Sequence, residues 1–146
     1  MKINYHRYLT DDKYNLIKKI LEIDENKLYL IKEICDITGS KVVISSSWRV
    51  LNIYPQLESY LINKGIPIID TTKYIKSNRG IEIKTYLQEH PEVINYIIID
   101  DDIFPDFDHE LLFHLIHTNF YNDGINEDNL EDAIYKLKRK SFYDNR

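Results

Sequence analysis

The sequence predicts a three-layer α/β fold built on a parallel sheet, and three observations carry that prediction. Two apolar runs, Lys41-Val42-Val43-Ile44-Ser45 and Asn95-Tyr96-Ile97-Ile98-Ile99, each stop abruptly at polar groups. This is the pattern of buried parallel strands whose carboxyl ends open onto a site. Strand-like and helix-like segments then alternate with short connections, the order that covers a parallel sheet on both faces. No repeat, linker or low-complexity block interrupts the alternation, so residues 1–146 read as one domain with its core over residues 24–140.

Taken in order, Met1 to Lys13 is polar and aromatic without a period and reads as irregular, and a short helix is expected around Asp11 to Leu21. Residues 1–23 together are an irregular segment or small lid. From Asp24 to Thr38 the residues Leu28, Ile31, Ile34 and Cys35 form a helical stripe, with Asp24 as cap and Gly39 as terminator. Lys41 to Ser45 is the first strand, Tyr54 to Lys64 a helix closed by Gly65, and Ile66 to Asp70 a short strand. Asn78-Arg79-Gly80 leads into a helix through His90, where Pro91 blocks continuation. Asn95 to Ile99 is the most hydrophobic strand. Asp106 to Leu112 gives a turn of helix, Phe113 to His117 a strand, and Glu127 to Lys140 a closing amphipathic helix.

Bulk properties narrow the function classes. A chain of 146 residues buries roughly two-thirds of its unfolded surface and needs no covalent staple. The net charge of −5 argues against a broad nucleic-acid footprint and leaves room for a local basic groove around Lys73, Lys76 and Arg79. The single Cys35 sits in an apolar stripe and reads as a small core residue. There is no signal-peptide pattern and no apolar run near ~18 residues, so a cytoplasmic protein without membrane attachment is expected.

Three constellations carry chemistry. Ser45, Ser46 and Ser47 follow a strand directly, where hydroxyls and N–H groups can gather around phosphate oxygens or simply cap the turn. Beside them, Arg49 can neutralise an anion or stack with Trp48 as packing. Asp100 and Asp101 end a buried strand, where adjacent carboxylates need a cation, an arginine or solvent. Magnesium suits them, since it takes one or two carboxylates together with phosphate and water. The bland alternative is a solvated acidic loop, given Asp102, Asp106 and Asp108. Arg79 and Lys76 precede a helix amino terminus and can bind phosphate or remain solvated, while Glu82 reads as a helix cap. The five histidines lack zinc spacing. Neither a Gly-x-Ser-x-Gly elbow nor a glycine-rich nucleotide loop is present.

The order Thr38-Gly39-Ser40-Lys41-Val42-Val43-Ile44-Ser45-Ser46-Ser47-Trp48-Arg49, Gly65-Ile66-Pro67, Arg79-Gly80-Ile81-Glu82-Ile83, His90-Pro91 and Tyr96-Ile97-Ile98-Ile99-Asp100-Asp101 resembles the haloacid dehalogenase-like (HAD) superfamily. More narrowly, it resembles the small HAD domains associated with RNA-repair proteins. The resemblance implies a Rossmann-like sheet and a phosphatase-type site. In it Ser45, with Ser46 beside it, holds the phosphoryl group, and Arg79, or Lys76 or Lys84 in its place, balances the charge. Asp100 and Asp101 position magnesium.

One part of the family pattern is missing. The family's first strand ends in Asp-x-Asp-Gly-Val-Leu-Asn, whose first aspartate is the nucleophile and second the general acid and base. The 146 residues contain no such pattern, and Ile3-Asn4 resembles only its end. Asp11 and Asp12 are adjacent and follow no apolar run, so they do not replace it. The expectation is a fold lacking the first central strand, inactive by the covalent route unless an Asp-x-Asp segment lies upstream, with sheet edges that favour self-association. The binding partner is a phosphorylated small molecule or nucleic-acid end. A degenerate module that holds a phosphorylated ligand or partner without turnover is the alternative to a phosphatase, and a receiver-like signalling domain fits less well because the acidic pair comes late.

Overall fold

The computed structural model describes residues 25–100, 102–118 and 126–138. The expected irregular segment or lid over residues 1–23, its short helix and the missing first strand fall outside the described residues. The elements are α1 (Glu25–Thr38), β1 (Val42–Ile44), a 3-10 turn (Ser47–Val50), α2 (Tyr54–Asn63) and β2 (Ile68–Thr71). Then come α3 (Arg79–Glu89), β3 (Ile98–Asp100), α4 (His109–Phe113), β4 (Leu115–His117) and α5 (Glu127–Lys138).

The strands form two parallel pairs. β1 lies on β2 with Val42 opposite Ile68 and Ile44 opposite Thr71, the register slipping between Val42 and Val43. β3 lies on β4 with Ile98 opposite Leu115 and Asp100 opposite His117. Both ladders run one step past the strand ends, through Thr72 N–H to the Ile44 carbonyl and Thr118 N–H to the Asp100 carbonyl. Among the described residues no ladder joins β1 to β3.

Alternation along β3 and β4 dictates the layers. Ile98 and Leu115 face Ile83 of α3 and Leu111 of α4, together with Phe107. Ile116, on the opposite face, packs with Ile34 of α1 and with Leu130 and Ala133 of α5. Helices therefore cover this strand pair on both faces, as an α/β parallel arrangement requires. The first pair packs Val42, Ile44 and Ile68 against Leu57, Tyr60 and Leu61 of α2, with Leu28 and Ile31 of α1 closing the cluster. α1 thus serves two cores along one stripe. Its Cys35 is buried, and burial pushes the thiol up from its ordinary value, so it behaves as a small apolar residue. Gly39 ends α1 at φ +72°, with its N–H on the Cys35 carbonyl.

Element boundaries moved for local reasons. The strand expected at Asn95 to Ile99 begins at Ile98 instead, because side chains tie down the stretch before it. Asn95 donates to the Lys136 and Leu137 carbonyls at the end of α5, and His114 Nδ1 meets the Tyr96 carbonyl at 2.8 Å. Pro67 has no N–H to give a ladder, so the strand expected from Ile66 to Asp70 runs from Ile68 to Thr71. α4 continues through Phe113, which shortens β4 to Leu115–His117. Among the described residues no helix is long and apolar enough to cross a membrane.

α3 is seated by a close approach. A Cβ on Gly80 would lie 2.4 Å from the Asp106 carbonyl oxygen, while Asp106 Oδ2 accepts from Ile81 N–H at 2.9 Å. Backbone cannot yield there as a flexible side chain would. Gly80→Ala is therefore expected to lower stability by about 1–3 kcal/mol, read as a fall in the urea midpoint at unchanged slope.

Candidate functional site

Polar groups converge at the carboxyl ends of β1, β2 and β3, and a chain of alternating charges links them. Arg49 leaves the 3-10 turn and points inward. Its Nε donates to the Thr72 carbonyl at 2.9 Å, and its Nη1 donates to the Ser45 and Ser46 carbonyls at 2.8 and 2.7 Å. Nη2 reaches the Lys73 carbonyl and lies 2.9 Å from Glu82 Oε1. The side chains of Arg49 and Glu82 are only 4% and 1% exposed, so this ion pair is desolvated. Glu82 Oε2 accepts from Ile75 N–H at 2.7 Å, which fixes the loop between β2 and α3.

The chain of charge continues outward through Arg79, the first residue of α3. Arg79 Nε lies 3.7 Å from Glu82 Oε1, and Nη1 donates to Asp100 Oδ2 at 3.1 Å. The guanidinium also stacks over Phe104, 4.4 Å from the ring centre. Asp100 Oδ1 accepts from Asp102 N–H at 3.0 Å, one residue beyond Asp101. The order is Arg49, Glu82, Arg79, Asp100, with opposite signs adjacent at every step.

The structure sorts the residues singled out from sequence. Ser45 is half-buried at the tip of β1, its carbonyl held by Arg49 and its hydroxyl without a partner among the described residues. The Ser46 hydroxyl accepts from Trp48 N–H and caps the 3-10 turn, and Trp48 stands at the rim. Arg49 is spent on carbonyls and Glu82, while Arg79 and Asp100 meet directly. Lys76 is exposed at φ +49°, followed by Ser77 at φ +62°, in the loop before α3. Lys84 pairs with Asp108 on the flank towards α4. Asp101 lies outside the described residues.

The acidic run after β3 has structural duties. Asp106 holds the amino end of α3 and Asp108 caps α4 through Leu111 N–H. Glu82 is the residue whose role the sequence reading missed: it caps nothing and instead joins the two arginines. The available signal was its placement three residues after Arg79, on the face that also carries Ile83 and Tyr86 inward. Among the described residues no group of three or more His, Cys, Asp or Glu is arranged to hold a metal ion.

With the strand ends and this charge chain in view, comparison with protein families is decisive. A model described as the HAD domain in Swiss Army Knife RNA repair proteins matches residues 4–130. The chain belongs to that HAD family. It is a HAD-type, phosphatase-like module, and its α/β architecture with small parallel sheets agrees with that membership. No curated protein and no solved structure matches the chain.

In this HAD module the Arg49–Glu82 pair holds three loops together, so removing one partner strands a buried charge. Arg49→Ala is expected to cost about 3 kcal/mol or more, and Arg49→Lys most of that, because an ammonium cannot span four carbonyls and a carboxylate in one plane. Chemical denaturation of the two variants checks this; a loss below about 1 kcal/mol, the size of an exposed pair, contradicts it.

Proposed function

We propose that this HAD module binds the phosphate group of a phosphate ester, with a phosphorylated nucleic-acid end as the favoured ligand. The observation that carries the reading is Arg79, whose side chain is 13% exposed and braced between two carboxylates, at the carboxyl edge where Ser45 follows β1. A charge-assisted bond from Arg79 and a hydroxyl from Ser45 suit phosphate oxygens. The family's description supplies the nucleic-acid part of the reading. Exposed Trp48 and Tyr74 beside Lys73 and Lys76 agree with a ligand that has bases as well as phosphate.

The donor chemistry suits magnesium, an oxygen-seeking ion that takes one or two carboxylates and completes its shell with phosphate and water. Asp100 would hold it, joined by Asp101. Bound there, it would neutralise phosphate charge. The protein's own part is to orient the ester through Ser45 and Arg79 and to keep both loops still through Arg49.

Ser45, Arg79 and Asp100 are groups that hold a phosphate ester, so our first reading for these residues is retention of a phosphorylated ligand. Family membership favours the second reading, hydrolysis of the same ester.

Titration with inorganic phosphate and with a 5′- or 3′-phosphorylated oligonucleotide tests the proposal. Binding that is tighter for the phosphorylated than for the dephosphorylated oligonucleotide is expected, weakened about tenfold or more by Arg79→Ala and severalfold by Ser45→Ala. Equal binding of both oligonucleotides overturns the phosphate reading. Magnesium-dependent release of phosphate, lost in Asp100→Asn, favours hydrolysis over retention.

A further inference from the structure

We infer that Glu82 is a positioning residue, which presents Arg79 to the ligand and makes that presentation depend on the serine loop. The inference rests on the phosphate-binding reading of the site. Four observations support it. Glu82 is almost fully buried and caps no helix; Oε2 holds Ile75 N–H and Oε1 faces both arginines. Arg49 supplies the counter-charge that makes a carboxylate tolerable there, and the same guanidinium grips the Ser45 and Ser46 carbonyls. Arg79 Nε is buried without a hydrogen-bond partner among the described residues, 3.7 Å from Glu82 Oε1. Finally, the Phe104 face, Asp100 on Nη1 and Glu82 beside Nε together define the plane of the Arg79 guanidinium.

Those three restraints leave Nη2 of Arg79 as the donor for a phosphate oxygen. Asp100 and Phe104 without Glu82 fix one corner and one face, and the guanidinium can then pivot about its bond to Asp100. The Glu82 carboxylate, 3.7 Å from Nε, opposes that pivot by its charge. Because the same carboxylate oxygen is shared with Arg49, displacement of the Ser45–Ser46 turn draws Arg49 from Glu82 and alters the hold on Arg79. Ser45 and Arg79, 34 residues apart in the chain, are coupled through one buried oxygen.

Glu82→Gln keeps the shape and an acceptor for Ile75 N–H while removing the charge. Inorganic phosphate binding is measured in the full chain for Glu82→Gln, Arg79→Lys and the double variant. Expected is a loss of about tenfold for Glu82→Gln alone and under about twofold in the Arg79→Lys background, since the effect passes through the arginine geometry. Equal losses in both backgrounds overturn the inference and leave Glu82 a purely structural role. The Arg79 Nε–H resonance, assigned by its disappearance in Arg79→Lys, gives a second readout that needs no ligand. It is expected to be slow to exchange in the native chain and to lose that protection in Glu82→Gln, while the core amides of Leu57 and Leu111 stay protected. If Glu82→Gln does not fold, Glu82→Asp is measured in the same two backgrounds: a loss confined to the Arg79 background supports the hold, and equal losses overturn it. Absence of phosphate binding in the native chain overturns the phosphate reading, and the resonance still decides the role of Glu82.

Discussion

A carboxylate buried between two arginines is the constraint on which the rest depends. Desolvating Glu82 alone would cost several kcal/mol, and its ion pair with Arg49 is favourable only because the remaining donors and acceptors also find partners. They do: Arg49 has four backbone carbonyls and Glu82 has the Ile75 N–H. This satisfaction requires the turn after β1, the loop after β2 and the first turns of α3 to sit in one arrangement. A charge pair that is a weak source of stability by itself therefore acts as a strong selector of geometry.

The carboxyl edge carries many charges for so small a sheet, and the fold manages them by local pairing. Beyond β3, Asp106 receives the N–H of Ile81, Asp108 that of Leu111, and the Lys84 ammonium answers Asp108. Helix amino termini stabilise these carboxylates. What stands out after this assignment is Asp100, whose carboxylate meets Arg79 at the tip of β3 and has no helix to cap. The acidic run is thus divided by position, with the first aspartate at the strand end and Asp106 and Asp108 accepting from helix amino termini.

Strand ends were legible in the sequence because an apolar run that stops at Ser45 or Asp100 has few other uses in an α/β chain. The helical stripes were equally plain, since Leu28, Ile31 and Ile34 recur at helical spacing and face the two cores they close. Boundaries were less legible, because Asn95 and His114 act through side-chain bonds to distant carbonyls that no local pattern announces. The site was legible as a set of residues but not as a circuit. Ser45, Arg79 and Asp100 each ended or began an element, whereas Arg49 remained open between ligand and packing until its neighbours in space were known. Glu82 looked like an ordinary acid in the first turn of a helix. Its burial is a property of what Arg49 brings from more than thirty residues away, and that pairing is not written in either neighbourhood.

Why place a buried ion pair beneath a site that we propose binds an anion? A lone arginine at this edge would carry its charge into solvent and sample many rotamers, so part of its attraction for phosphate would be lost to ordering it. Bracing Arg79 against Asp100, Phe104 and Glu82 removes that freedom in advance. Bracing also has an electrostatic consequence, because two carboxylates beside Arg79 reduce the attraction it offers to a distant anion. The arrangement therefore favours a ligand that reaches bonding distance over one merely drawn in by charge, which agrees with a chain of net charge −5. On the proposed reading, affinity at this edge comes from short, directed bonds to phosphate oxygens, and a rigid guanidinium supplies them better than a larger net charge would.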